Sequence, residues 1–351
     1  MKKLISLICV ASLLLGLVGC DKQPGNTASN GEYQPPRKTS TYAIVVKDRN
    51  NQYMQSMISG FQAACDELGV NAISNGPDTP SAAEQVEIIN DLIEKEVSVI
   101  AIAANDAEAL SPSLQIAIDR GIKVVSLDSA VAASGRQLHI QQARPKKVGR
   151  VLIQAAAEII EGSGKLAVLS STENAPNQND WIKWMKAEYD ENPDKYAGIE
   201  WTEIVYGNDD SELSQAKTRE LLEKYGEELK IIIAPTVVGM EAAAKVITET
   251  GSNTKLTGLG LPSQMSKYFT SDDGICPWMY LWNVIDAGYL AAYAAHALES
   301  GEIKGDPTDV FMAGRLGAKV VDDAEDGGYE VLLGDPIKVD KKNILIWESA
   351  Y

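Results

Sequence analysis

The sequence predicts an α/β protein of two similar lobes, each a doubly wound parallel sheet with helices on both faces. Short β-rich runs alternate with stretches of helical period from Thr41 onward, and the same alternation starts afresh at Lys165. Strand, helix, strand in repetition means right-handed crossovers and parallel pairing. Length agrees, because the ~310 residues that remain after an N-terminal leader exceed the usual single core.

In the first series, Tyr42 to Val46 reads as a strand. Gln55 to Leu68 reads as a helix with Met57, Phe61, Ala64 and Leu68 on one face, stopped by Gly69. Val70 to Ser74 is a strand, and Ser81 to Glu94 a helix opened by Pro80 and Ser81. Val97 to Ala103, Leu110 to Arg120 and Val124 to Leu127 follow as strand, helix and strand. The last of these is near-continuously apolar and ends abruptly in Asp128-Ser129, as a strand covered on both faces does. Leu138 to Gln141 is a short strand and Lys146 to Glu161 a helix. A lobe boundary therefore falls near Gln141 to Arg144.

The second series has strands at Lys165 to Ser170, Glu203 to Tyr206, Ile231 to Ala234 and Lys255 to Leu259. Helices at Asp180 to Tyr189, Glu212 to Tyr225 and Glu241 to Thr250 separate them. Beyond lie a strand at Tyr280 to Trp282 and an Ala-rich helix at Val284 to Glu299. Lys319 to Asp322 and Tyr329 to Leu333 form a hairpin across Asp326-Gly327-Gly328.

The leader reads as an export signal. Lys2 and Lys3 precede the apolar stretch Leu4 to Val18, which is short for a membrane span. It ends in Leu17-Val18-Gly19-Cys20, which resembles the bacterial lipobox. Residues 1–20 are thus a lipoprotein signal ending at a lipidated Cys20, and residues 21–40, polar and rich in Pro and Gly, a flexible tether. The protein is then exported and lipid-anchored to the cell membrane, facing periplasm or exterior. The net charge of −17 becomes −19 once Lys2 and Lys3 are removed, which argues against nucleic acid. Cys65, on an apolar helix face, and Cys276 read as free thiols.

Enzyme signatures are missing. Gly162-Ser163-Gly164-Lys165 is too short for a phosphate loop, Gly258-Leu259-Gly260 lacks a third glycine, and no Gly-x-Ser-x-Gly occurs. The two histidines, His139 and His296, read as structural. No cofactor, no metal and no second carboxylate facing Asp128 at glycosidase separation are expected. Instead, polar residues gather where strands end: Lys47-Asp48, Asn105-Asp106, Asp128-Ser129, Asn177-Gln178-Asn179-Asp180-Trp181, Pro235-Thr236, and Trp282-Asn283 with Asp286. Each alone has a plain use as a turn, helix cap or core residue. Recurring at one edge of both lobes, they suit recognition of hydroxyls, with Trp rings covering an apolar sugar face.

At these residues the chain resembles the sugar-binding proteins of the ribose-binding type that serve ABC importers, over its whole length after the tether. It is similar to two branches, rhamnose-binding proteins and autoinducer-2 receptors, through Val45-Val46-Lys47, Gly76-Pro77 with Thr79-Pro80, Asp128-Ser129, Asn177 to Trp181 and Ile232-Ile233-Ala234-Pro235. The resemblance implies the type I periplasmic binding protein fold, a monomer, a permease partner and a ligand gripped by Lys47, Asp128, Asn177, Gln178, Pro235, Val237, Asn105, Trp282 and Asn283. The autoinducer-2 pattern has Asp where Asn177 stands and Ala where Val237 stands. Both branches place Trp where Leu127 stands, and that loss leans the expectation toward autoinducer-2 over rhamnose or a related deoxysugar. The resemblance also implies three crossings between lobes, near Gln141, Trp282 and Gly305. The N-terminal lobe is then 41–142 plus 283–305 and the C-terminal lobe 143–282 plus 306–351. The alternative is ligand sensing through a membrane kinase or chemoreceptor; an exported sugar enzyme, which would need a second carboxylate across the cleft from Asp128, is not expected.

Overall fold

A computed structural model describes residues 40–269 and 274–348. The leader, Cys20 and almost all of the tether lie outside the described residues. The first series contains β1 (Thr41–Val45), α1 (Gln52–Leu68), β2 (Asn71–Asn75), α2 (Ala82–Glu94), β3 (Val99–Ile102), α3 (Ala107–Asp119), β4 (Lys123–Leu127) and β5 (Leu138–Gln141). Its strands pair in parallel in the order β5-β4-β3-β1-β2. Side chains alternate along β1: Tyr42, Ile44 and Val46 pack with Met57 and Phe61 of α1, while Ala43 and Val45 pack with Ile89 and Leu92 of α2. That period of two leaves no solvated face, hence the apolar runs.

Polar side chains start these helices. Asn51 accepts from the Tyr53 amide, Ser81 from Glu84, and Asp106 from Glu108 and Ala109. Gly69, with φ at +68°, ends α1 in the left-handed conformation that glycine takes without a Cβ penalty.

The second series contains α4 (Pro145–Ile159), β6 (Ser163–Ser170), α5 (Pro176–Glu191), β7 (Gly198–Tyr206), α6 (Ser211–Tyr225), β8 (Leu229–Ala234), α7 (Val237–Thr250), β9 (Lys255–Gly258), α8 (Pro262–Met265) and β10 (Trp278–Leu281). Its sheet is parallel in the order β7-β6-β8-β9. The chain then returns to the first lobe as α9 (Val284–Ser300), which lies against α1, β3 and β4. After it come β11 (Val310–Met312), β12 (Ala318–Val320), β13 (Asp322–Asp323), β14 (Tyr329–Leu332), β15 (Ile337–Asp340) and α10 (Ile344–Glu348).

Two expectations about this tail are corrected. The third crossing is not near Gly305. β14 pairs in parallel with β5, Glu330 against His139 and Leu332 against Gln141, and Leu333 N–H donates to the Gln141 carbonyl. The first sheet thus gains β14 and β13 at its edge. The chain leaves it only after Leu333, when β15 pairs antiparallel with β10. The hairpin is also shifted. Ala318–Val320 pairs with Val310–Met312, so only Asp322–Asp323 is left to pair with β14. Arg136 pins its turn through an ion pair with Asp326 at 2.7 Å.

Candidate ligand-binding site

Between the two sheets, at the carboxyl ends of their strands, lies a hollow. It is lined from the first lobe by Lys47, Asn51, Tyr53, Met54 and Asp128. The second lobe supplies Asn177, Gln178, Trp181, Asp209, Pro235, Thr236, Val237 and Leu259, and Leu281 and Trp282 come from the crossing into α9. The hollow encloses about 430 Å³ of space outside the protein atoms, its open mouth included.

Asp128 follows the last residue of β4 and takes φ +60°, a left-handed conformation that only Gly, Asn and Asp adopt readily. The turn is held by Gln142, whose side chain donates to the Asp128 carbonyl at 3.0 Å. It leaves a 4 % exposed carboxylate in the hollow. Lys47 Nζ lies 3.6 Å from Oδ2, and Tyr53 donates its hydroxyl proton to Oδ1 at 2.8 Å. Trp282 Nε1 donates in turn to the Tyr53 oxygen at 2.8 Å. A buried ion pair with its remaining lone pairs occupied survives desolvation.

Asn177 joins the lobes. It stands in the first turn of α5, not in a loop before the helix as the sequence pattern implied, and Pro176 opens that helix without a side-chain cap. Its Oδ1 accepts from Lys47 Nζ at 3.2 Å, and its Nδ2 donates to Asp128 Oδ2 at 3.3 Å. An aspartate here would put two carboxylate oxygens at that distance, a repulsion that the amide avoids.

Two of the residues lining the hollow carry a buried polar atom without a partner among the described residues: Gln178 Oε1, an acceptor, and Trp181 Nε1, a donor. The Trp181 and Trp282 rings lie 5.5 Å apart, tilted by 54°. Met54, Val237, Leu259 and Leu281 add an apolar wall. Buried polar groups without partners are costly, and a ligand that both donates and accepts would offset that cost at these two.

Of the residues singled out from sequence, Lys47, Asp128, Asn177, Gln178, Pro235, Val237 and Trp282 line the hollow. Asn105 and Asn283 do not. Asn105 Nδ2 donates to the Lys47 carbonyl at 3.0 Å, bracing that loop from behind, and Asn283 caps α9 by accepting from the Asp286 amide at 3.0 Å. Leu127 is fully buried in the core and is not among the residues lining the hollow. Tyr53 and Asp209 were missed. Asp209 follows a strand end, the very rule that found the others, but Gly207-Asn208-Asp209-Asp210 reads as a plain turn. Asp209 lines the same hollow as Asp128. Burial holds the Asp209 carboxyl above its ordinary range, against the hydrogen bond from Thr236 and the charge of Lys47. His139 is structural in its contacts: buried, bonded to the Ser126 hydroxyl, and lowered by that burial to about 3.

Two α/β lobes facing one polar hollow define a bilobal binding protein. A family profile described as "Periplasmic binding protein domain" matches residues 42–303, and the chain belongs to that family. A solute-binding protein of an ABC transporter from Clostridium phytofermentans, solved with bound L-rhamnose, is 40 % identical with a TM-score of 0.86. The match covers 89 % of this chain and 99 % of that one. LsrB from Clostridium saccharobutylicum in complex with AI-2 is 23 % identical with a TM-score of 0.79, over 88 % and 99 % of the two chains, and shows the shared fold alone. Among curated proteins, the ribose import binding protein of Bacillus subtilis is 28 % identical over 50 % of this chain and 55 % of its own. The chain thus spans about half the length of that relative.

Proposed function

We propose that this chain is the solute-capturing protein of a sugar ABC importer and that its ligand is a six-membered deoxysugar of the rhamnose type. The observation that carries this reading is that Gln178 and Trp181 line the hollow and each keeps a buried polar atom, Oε1 and Nε1, without a partner among the described residues. A sugar hydroxyl donates to the first and accepts at the second, and an indole covers the C–H face of the ring. The wall of Met54, Val237, Leu259 and Leu281 suits a methyl where other hexoses carry a hydroxymethyl. The 40 % identity to a protein crystallised with L-rhamnose supports the same choice.

Autoinducer-2 is the second reading, favoured by Lys47, Asp128, Gln178 and Pro235 all lining one hollow. In either case the ligand is held and released unchanged, because the Asp128 carboxylate is engaged by Lys47, Tyr53 and Asn177. Closure of the lobes presents a monomer to the importer's permease, at a membrane surface where the lipid on Cys20 retains it. Delivery of the closed form to a membrane kinase or chemoreceptor uses the same fold with another partner.

Titration calorimetry of the mature domain tests the ligand. L-rhamnose is expected to bind with Kd of about 1 μM or tighter, to be recovered intact, and to outcompete D-ribose. Saturation by autoinducer-2 with no heat from L-rhamnose would replace the first reading by the second.

A further inference from the structure

The charges around the hollow do not balance. Among the residues lining it, Lys47 is the one cation, and its ammonium is engaged by Asp128 and Asn177. Asp209 has no such counter-ion. It is held by two successive left-handed residues, Asn208 at φ +53° and itself at φ +52°, a conformation that Asn and Asp tolerate better than other side chains. The next residue, Asp210, is spent on capping α6 through the Leu213 amide. The turn thus separates two neighbouring acids, one to the helix and one to the hollow.

A single tether orients Asp209. Thr236 precedes α7 but makes no side-chain cap there, and its hydroxyl donates to Asp209 Oδ1 instead. Oδ2 has no partner among the described residues. Lys47 and Asp128 line the same hollow from the first lobe, and Asp48 of that lobe also acts on the Asp209 charge. Asp128 and Asp48 disfavour its charge, and Lys47 and Thr236 favour it.

We propose that Asp209 is a ligand-contacting carboxylate that determines specificity: it accepts a hydroxyl of an uncharged polyol and excludes anionic sugars such as uronates and sugar phosphates. This rests on reading the hollow as a sugar site. A hydroxyl can donate to Oδ2 as it does to Gln178 Oε1, giving the second lobe two acceptors on one ring. A ligand carboxylate or phosphate would instead meet Asp128 and Asp209 with the only nearby ammonium already paired. At about 5 Å and an effective dielectric of about 20, one like charge weakens binding roughly a hundredfold.

Calorimetry on the wild type and on Asp209→Asn distinguishes the outcomes. The neutral panel is L-rhamnose, L-fucose, D-ribose and D-arabinose, and the acidic panel is D-galacturonate, D-glucuronate and D-ribose 5-phosphate. The wild type is expected to bind a neutral sugar and to give no heat with any acid at millimolar concentration. Asp209→Asn should lose about tenfold for the neutral sugar, the usual difference between a charged and a neutral acceptor, and should narrow the gap to the acids. Thr236→Val, which frees the carboxylate without removing it, should lose less. Thermal melts of each variant establish that it is folded. A variant with wild-type affinity, or a wild type that takes an acid as tightly as a neutral sugar, overturns the proposal. If the neutral sugar bound is not L-rhamnose, the ligand named above fails while this inference stands; if no sugar binds, both fall.

Discussion

Asp128 combines a left-handed backbone with a buried charge, and each makes sense only through its partners. Gln142 holds the backbone, while Lys47, Tyr53 and Asn177 hold the carboxylate. Asp128→Asn keeps a side chain that tolerates φ > 0 but leaves Lys47 without its counter-ion in a dry site. The expected cost is about 3 kcal/mol of stability, from breaking a buried pair, with the two-lobed fold retained. Ligand affinity should fall at least about tenfold, because the network that fixes Lys47, Tyr53 and Asn177 around the hollow loses its central carboxylate. Calorimetry checks the second expectation and a denaturant melt the first, and an unchanged Kd would move the site elsewhere. Lys47, Asp128 and Gln178 were legible in the sequence because strand ends of parallel sheets gather ligand contacts. Asn105 and Asn283 share that position and do other work, since a short polar side chain after a strand serves equally to brace a loop or start a helix.

Helices α1 and α9 carry this geometry, since α1 supplies Tyr53 and α9 begins just after Trp282. They approach closely because two glycines meet two backbones. A Cβ on Gly60 would fall 1.8 Å from the Ile285 carbonyl oxygen, and one on Gly288 would fall 1.9 Å from that of Met57. Glu67 of α1 accepts from Tyr289 and Tyr293 of α9 and fixes the crossing at its far end. Gly288→Ala must therefore push the helices apart. A loss of about 2–3 kcal/mol is expected, read as a drop in the thermal midpoint, and an unchanged midpoint would show that the crossing yields without cost. The helices and most strands were legible from their periods and stops. The place of β14 was not, because four residues joining the edge of a sheet through β5 depend on long-range backbone pairing that composition does not record.

At the scale of the molecule, three crossings join the lobes, after Gln141, after Leu281 and after Leu333, and the hollow lies between them. Asn177 shows how they stay together, since its side-chain bonds to Lys47 and Asp128 both reach into the other lobe. The proposed membrane anchor rests on Cys20. Cys20→Ala is expected to move the protein from the membrane fraction to the soluble one, and unchanged fractionation would refute the anchor. The sequence by itself determined the α/β class, the doubling of the lobes and the strand-end residues, because short-range periodicity and turn chemistry encode them directly. Only the tertiary structure decided which of those residues share one hollow, that Tyr53 and Asp209 join them, and that the tail extends the first sheet. Those outcomes depend on how two separately folded lobes meet, and residues more than a hundred positions apart leave no local pattern to read.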